Sequence, residues 1–337
     1  MIQVKDLVKK YGDHAAVNGI SFEIEPGHIY GFLGPNGAGK STTMNIMTGC
    51  LAATSGTVLL GGHDVVKEPA QAKKGVGYLP EQPPLYMDMT PREYLRFVGS
   101  MKGLRGAELN EQVDYVMEKT DITSRADRLI KNLSKGYKQR VGIAQAVLGD
   151  PDLVILDEPT VGLDPMQILE IRELIKELGK DHTVILSSHI LSEVSAMCDR
   201  IIIISKGTLV ASGTTEEILS MFRSEGKITL LLEGDGASAA EKLRETEGIT
   251  GVTAEETDGT WKMVVTHENE ADVRREVFAC LVQCGCVILE MTSETASLED
   301  VFMELTTRED ESVEAEAEVE AEAEAETEEN EEKEDEQ

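Results

Sequence analysis

Bases are scarce in this chain: 32 Lys and Arg stand against 63 Asp and Glu among 337 residues, a formal net charge of −31. That balance argues against nucleic-acid binding, which rests on Lys and Arg neutralising phosphates. Long apolar runs are also missing, and no segment approaches the roughly 18 uncharged apolar residues that span a bilayer. The first residues, MIQVKDLVKKYGD, alternate apolar and polar positions and lack the apolar block of a secretory signal. Cysteine is sparse and odd in number: Cys50, Cys198, Cys280, Cys284 and Cys286. Cys280 and Cys284 lie four apart on an expected helix, with Cys286 at a strand start. No His is near them in sequence, so they read as thiols of a reducing compartment rather than as a metal site.

What charge there is falls unevenly. Between Glu309 and Gln337 stand 17 acids and one base, Lys333, which leaves 46 acids and 31 bases in the preceding 308 residues. The strip is low-complexity, has nothing apolar to bury, and sets Glu against Glu at helical spacing. It is expected to be a disordered acidic tail. The rest is expected to form two domains. Residues 2–224 alternate short β-branched runs with helical patterns, which predicts an α/β domain with a largely parallel sheet. Its clearest strands, His28–Leu33, Leu153–Leu156, Thr183–Ser187 and Arg200–Ser205, lack polar alternation, as strands buried on both faces do. Between about residues 90 and 146 the pattern turns helical, at Arg92–Met101, Leu109–Thr120 and Lys138–Leu148, predicting a helical subdomain. Residues 225–306 read βαββαβ, the order of a small α+β ferredoxin-like domain, closed by a short helix at Leu298–Leu305.

The chemistry concentrates at strand ends. Gly34-Pro35-Asn36-Gly37-Ala38-Gly39-Lys40-Ser41 fits G-x-x-x-x-G-K-[ST] and sits between an apolar strand and a helix. Glycines let backbone N–H groups curl around a phosphate, and the following helix aims its N-terminus at the anion. Lys40 adds a full positive charge to the β/γ oxygens, and the Ser41 hydroxyl is placed to ligate Mg²⁺. A second apolar strand, Leu153–Leu156, ends in Asp157 and Glu158. Asp157 can hold Mg²⁺, directly or through water, while Glu158 can orient or deprotonate an attacking water. His189 follows a third such strand and can reach a γ-phosphate.

Taken together, these residues resemble the ATP-binding subunits of ABC transporters over essentially residues 2–221. The P-loop NTPase fold, ATP and Mg²⁺ as ligands and ATP hydrolysis are what that resemblance implies. Beyond the Walker A segment GPNGAGKST, which ends at Thr42, and the Walker B segment LVILDEP, Leu133-Ser134-Lys135-Gly136-Tyr137 stands at the signature position. Gly162-Leu163-Asp164 is similar to the D-loop, His189 to the switch histidine, and Tyr11 to the ring that stacks on adenine. The family uses the groups at Ser134 and Gly136 to touch ATP held by an opposing subunit, so the active site is implied to be completed by a second ATPase chain, identical or not. Lys135 and Tyr137 replace the common Gly and Gln; Lys135 either adds positive charge near that ATP or faces solvent. At the Q-loop, Glu81 takes the usual glutamine position with Gln82 one later, and either could ligate the metal.

The strings LPEQPPLY, LSKGYKQR, DEPTVGLDP and SLEDVFMELT are most similar to separate ATPase subunits of bacterial export systems of multidrug, antibiotic, lipid or polymer type. The resemblance therefore implies a permease on another chain, contacted through Pro83–Glu93. It also implies a cytoplasmic location, peripheral on the inner face of the membrane and reached only through the permease. The alternative is an ABC ATPase without a permease, acting in translation or DNA maintenance. Translation-type members usually carry two ATPase domains, and repair-type members need long coiled coils that are not visible here.

Overall fold

The computed structural model describes residues 2–221, 226–257, 259–268 and 272–294. The expected helix at Leu298–Leu305 and the acidic tail lie outside these residues. By its internal contacts the chain divides between Thr215 and Glu216, ahead of the expected boundary at 224. The composition shift marks where the next strand begins, whereas the contact division already falls at the preceding helix.

In the first unit the elements run β1 (Ile2–Tyr11), β2 (His14–Ile24), β3 (Ile29–Leu33), α1 (Lys40–Met47), β4 (Ser55–Leu60), β5 (His63–Asp64), α2 (Pro69–Lys74) and β6 (Val76–Leu79). They continue with α3 (Pro91–Met101), α4 (Gly106–Lys119), α5 (Lys135–Val147), β7 (Leu153–Leu156), α6 (Pro165–Leu178), β8 (Thr183–Ser188), α7 (Leu191–Met197), β9 (Arg200–Ser205) and β10 (Thr208–Gly213). Helix α8 (Thr215–Met221) spans the division.

Two sheets form. A six-stranded sheet has the order β10-β9-β3-β8-β7-β6, and all its neighbours are parallel except β10 on β9. Strands β3, β7 and β8 are buried along their whole length, which is why their sequences show no polar alternation. A second, antiparallel sheet has the order β2-β1-β4-β5. Here β1 and β2 alternate buried and exposed positions, so the N-terminal alternation belongs to half-buried strands. The largely parallel sheet expected from sequence is thus one of two in this unit. Phe22, Phe32, Met44, Ile155, Ile185 and Ile202 share one core.

Register decides where the chemistry goes. Leu33 pairs with Ser188, Leu156 with Leu186, and Leu79 with Leu156. The C-terminal ends of four neighbouring strands therefore come out along one edge of the sheet, where open α/β sheets bind ligands.

Helices α3, α4 and α5 form between β6 and β7. Helix α3 begins on a capping box, Thr90 with Glu93, and has Pro91 in its first turn. Helix α5 begins at Lys135, three residues before the expected Lys138, because the Ser134 side chain caps it by accepting from the Tyr137 N–H.

In the second unit, β11 (Gly226–Glu233), α9 (Gly236–Arg244), β12 (Ile249–Thr257), β13 (Thr260–His267), α10 (Arg274–Gln283) and β14 (Val287–Glu294) follow in order. The sheet runs β12-β13-β11-β14 with every neighbour antiparallel. Ala239, Leu243, Val277 and Leu281 from the helices pack on Ile228, Leu230, Met263 and Val265. All five cysteines are free thiols; burial raises the pKa values of Cys280 and Cys286, making them poor nucleophiles.

Candidate active site

The turn after β3 is shaped by close approach. A Cβ on Gly34 would lie 2.2 Å from the Ile204 carbonyl oxygen, and Gly39, at φ +102°, would set one 2.5 Å from the Ala16 carbonyl oxygen. Only glycine fits both places. Gly39 opens α1, whose first turn carries no acidic side chain and no side-chain cap. An uncapped helix start of this kind suits an anion.

Lys40 is 6% exposed and turns back over the loop, donating to the carbonyls of Gly34 at 2.7 Å and Pro35 at 3.1 Å. Its ammonium also lies 3.7 Å from Glu158 Oε1. Burial holds its pKa below the usual lysine range, with the charges of Glu158 and Asp157 opposing that shift. A phosphate brought alongside would therefore meet a cation that is costly to keep charged alone.

Beneath the loop, Ser41 Oγ donates to Asp157 Oδ1 at 3.1 Å. Ser187 donates to the same oxygen at 2.6 Å and accepts the Glu158 N–H at 2.7 Å. One buried hydroxyl on β8 thus fixes the Asp157 carboxylate and the Glu158 backbone at the neighbouring strand end. Glu158 stands at φ +47°, a left-handed conformation that costs a non-glycine residue about 1–2 kcal/mol. Its Oε2 lies 3.0 Å from His189 Nδ1.

These groups surround a cleft of about 460 Å³ lined by Ala16, the segment from Asn36 to Thr42, Glu81, Glu158, Val161 and His189. Of the two Q-loop candidates, Glu81 lines the cleft and Gln82 does not. Tyr11 is not among the lining residues either. It sits half-exposed at the end of β1, its ring centroid 5.1 Å from the Lys9 ammonium, on the same hairpin as Ala16.

The signature lies elsewhere. Ser134, Gly136, Tyr137, Arg140, Asp164 and Gln167 line a second cleft of about 340 Å³. The two clefts have no lining residue in common. Asp164 caps α6 by accepting from the Gln167 N–H at 2.9 Å. A Cβ on Gly136 would come within 2.7 Å of the Gln167 side-chain oxygen. Lys135 is exposed, with its ammonium against Gly162.

Sequence reasoning passed over Ser187, although the signal was present. Ser187 and Ser188 end an apolar strand beside the one that ends in Asp157, and a small hydroxyl at that level has two carboxylate-bearing residues in reach.

The donor set suits Mg²⁺. The Ser41 hydroxyl and Asp157 carboxylate are hard oxygen ligands beside a phosphate cradle, and this ion takes few protein ligands and keeps its remaining positions for water and substrate. Among the described residues, no group of three or more His, Cys, Asp or Glu is placed to hold a metal.

Comparison with known proteins agrees with this geometry. A profile of the family described as "ABC transporter" matches residues 17–161. The chain is 35% identical to the linearmycin resistance ATP-binding protein LnrL of Bacillus subtilis, over 91% of this chain and 99% of that protein. It is 35% identical to the Nod factor export ATP-binding protein I of Cupriavidus metallidurans, over 92% of this chain and 98% of that one. Among solved structures, it resembles the dimeric post-hydrolysis ATP-binding cassette MJ0796, bound to ADP and Pi. The TM-score is 0.58 and the identity 25%, over 64% of this chain and 98% of that one.

Proposed function

The chain belongs to the family of ABC transporter ATP-binding proteins and is an ATPase, and we propose that it is a separate subunit that powers export through a permease carried on another chain. The observation that carries this reading is an exposed apolar patch on the helical subdomain. The Tyr86 and Phe97 rings lie 5.3 Å apart between centroids, tilted by 39°, while both stay at least 40% exposed, and Met87 and Met101 are exposed as well. A patch of that kind, with Tyr86 and Met87 inside Pro83–Glu93, supports a protein contact there. Among the described residues, no helix is long and apolar enough to cross a membrane. Export is supported by relatives named for resistance and for export.

The mechanism we propose uses the chain's own groups in order. Backbone N–H groups of the Gly34–Ser41 turn and Lys40 hold the phosphates, and Tyr11 stacks on the base. Ser41 and Asp157, with Glu81 rather than Gln82 as the residue facing the cleft, would hold Mg²⁺. When bound, that ion would supply charge neutralisation on the phosphate oxygens. Glu158 accepts the proton of the attacking water, and His189 holds the carboxylate in position and contacts the γ-phosphate. Ser134, Gly136 and Asp164 serve the ATP of the opposing subunit, a copy of this chain or a close relative. Two ATP molecules then join the pair and hydrolysis releases it, a population shift driven by contacts made only with the triphosphate. We read residues 225–306 as an accessory α+β domain of ferredoxin-like type, supported by the β11-to-β14 order and its antiparallel sheet.

Affinity purification of the tagged chain from detergent-solubilised cells tests the assignment. The expected outcome is an integral membrane protein in the eluate, lost when Tyr86 and Phe97 are replaced by Glu while ATP binding persists. Ribosomes in its place would favour the permease-free alternative.

A further inference from the structure

Outside the cleft, a single buried carboxylate joins the two segments that deliver the catalytic side chains. Glu193, in the first turn of α7, is 2% exposed and does not line the nucleotide cleft. Its Oε2 accepts from Thr160 Oγ1 at 2.6 Å and from Ser188 Oγ at 3.3 Å. Its Oε1 lies 3.6 Å from the Arg172 guanidinium of α6. Thr160 and Ser188 are themselves buried. Thr160 stands two residues after Glu158, and Ser188 immediately precedes His189.

A carboxylate is retained in such a place only when it is paired and hydrogen-bonded, because desolvating the charge is otherwise prohibitive. Packing alone would be served by an apolar side chain. What the charge adds here is direction: it holds two hydroxyls at fixed positions. Glu158 needs such restraint, since its φ of +47° persists only where surrounding groups over-determine it. Ser187 pins its N–H, and the Val161 N–H donates to its carbonyl at 3.2 Å. Thr160 anchors the turn just beyond. On the other side, Ser188 accepts the Ile190 N–H at 3.0 Å, so the backbone is tied before and after His189.

We infer that Glu193 is a positioning residue for hydrolysis, fixing the Glu158 turn to the His189 strand end so that the two side chains meet at hydrogen-bonding distance. The inference rests on Glu158 acting as the base.

The test uses the full chain, with ATP affinity, single-turnover hydrolysis and thermal midpoint measured for each variant. Glu193→Gln and Thr160→Val are expected to hydrolyse roughly tenfold slower, the loss a displacement well under an ångström brings, with ATP affinity held within about twofold. Thr160→Ser, which keeps the hydroxyl, is expected to recover most of the rate. Because groups acting as one unit are non-additive, Glu158→Gln with Glu193→Gln should be no slower than Glu158→Gln alone. A purely structural role would instead multiply the two losses and overturn the inference, as would wild-type turnover in Thr160→Val. If Glu193→Gln does not fold, the Thr160 pair decides. Slow hydrolysis by Glu158→Gln with normal Thr160→Val removes only the role of Glu193; normal hydrolysis by Glu158→Gln removes the base as well.

Discussion

Replacing Lys40 by Ala is expected to lower ATP turnover at saturating nucleotide by about 10²–10³-fold, the loss typical of removing one preorganised group that stabilises transition-state charge. The ammonium is nearly inaccessible and already held by the Gly34 and Pro35 carbonyls, so its position costs little reorganisation when a γ-phosphate arrives. The variant also leaves buried Glu158 without the ammonium 3.7 Å from it, which should lower the thermal midpoint of the nucleotide-free protein. Hydrolysis assays paired with nucleotide titration check the result. Unchanged affinity and unchanged rate together would remove the phosphate-binding role of the Gly34–Ser41 turn.

Glu158→Gln should behave differently, because the amide keeps the shape and one hydrogen bond to His189 but cannot take a proton. Turnover is expected to fall at least about tenfold, equivalent to about 1.4 kcal/mol of barrier and the low side for losing a general base. ATP binding should persist, and the ATP-bound dimer should outlive that of the unaltered protein, since the charge that joins the halves is no longer removed. Size-exclusion chromatography with ATP, beside phosphate-release kinetics, reads both effects. Near-normal turnover would take Glu158 out of the mechanism.

The nucleotide cleft was legible in sequence where function depends on local spacing. The Gly34–Ser41 turn and the Asp157–Glu158 strand end are contiguous strings whose strand-and-turn setting is also local. The buried strands β3, β7 and β8 were readable for the same reason, as uninterrupted apolar runs. What pairs at a distance was not. Strands β1 and β4 meet across more than forty positions of sequence, and alternation alone does not name a partner. Ser187 and Glu193 earn their places through residues about thirty positions away. The true start of α5 was hidden because the expectation followed apolar periodicity and overlooked Ser134 as a cap.

The separation of the two clefts has a genetic consequence. A chain damaged at Lys40 still presents an intact signature cleft, and a chain damaged at Gly136 still presents an intact nucleotide cleft. If two chains pair as proposed, with the nucleotide cleft of one facing the signature cleft of the other, a mixed pair made in one cell would gather both defects at one interface site and leave the other site whole. Two inactive alleles could then complement each other in part, whereas two alleles hit in the same cleft could not. The pattern of complementation would map the clefts onto each other without any structure of the assembled pair.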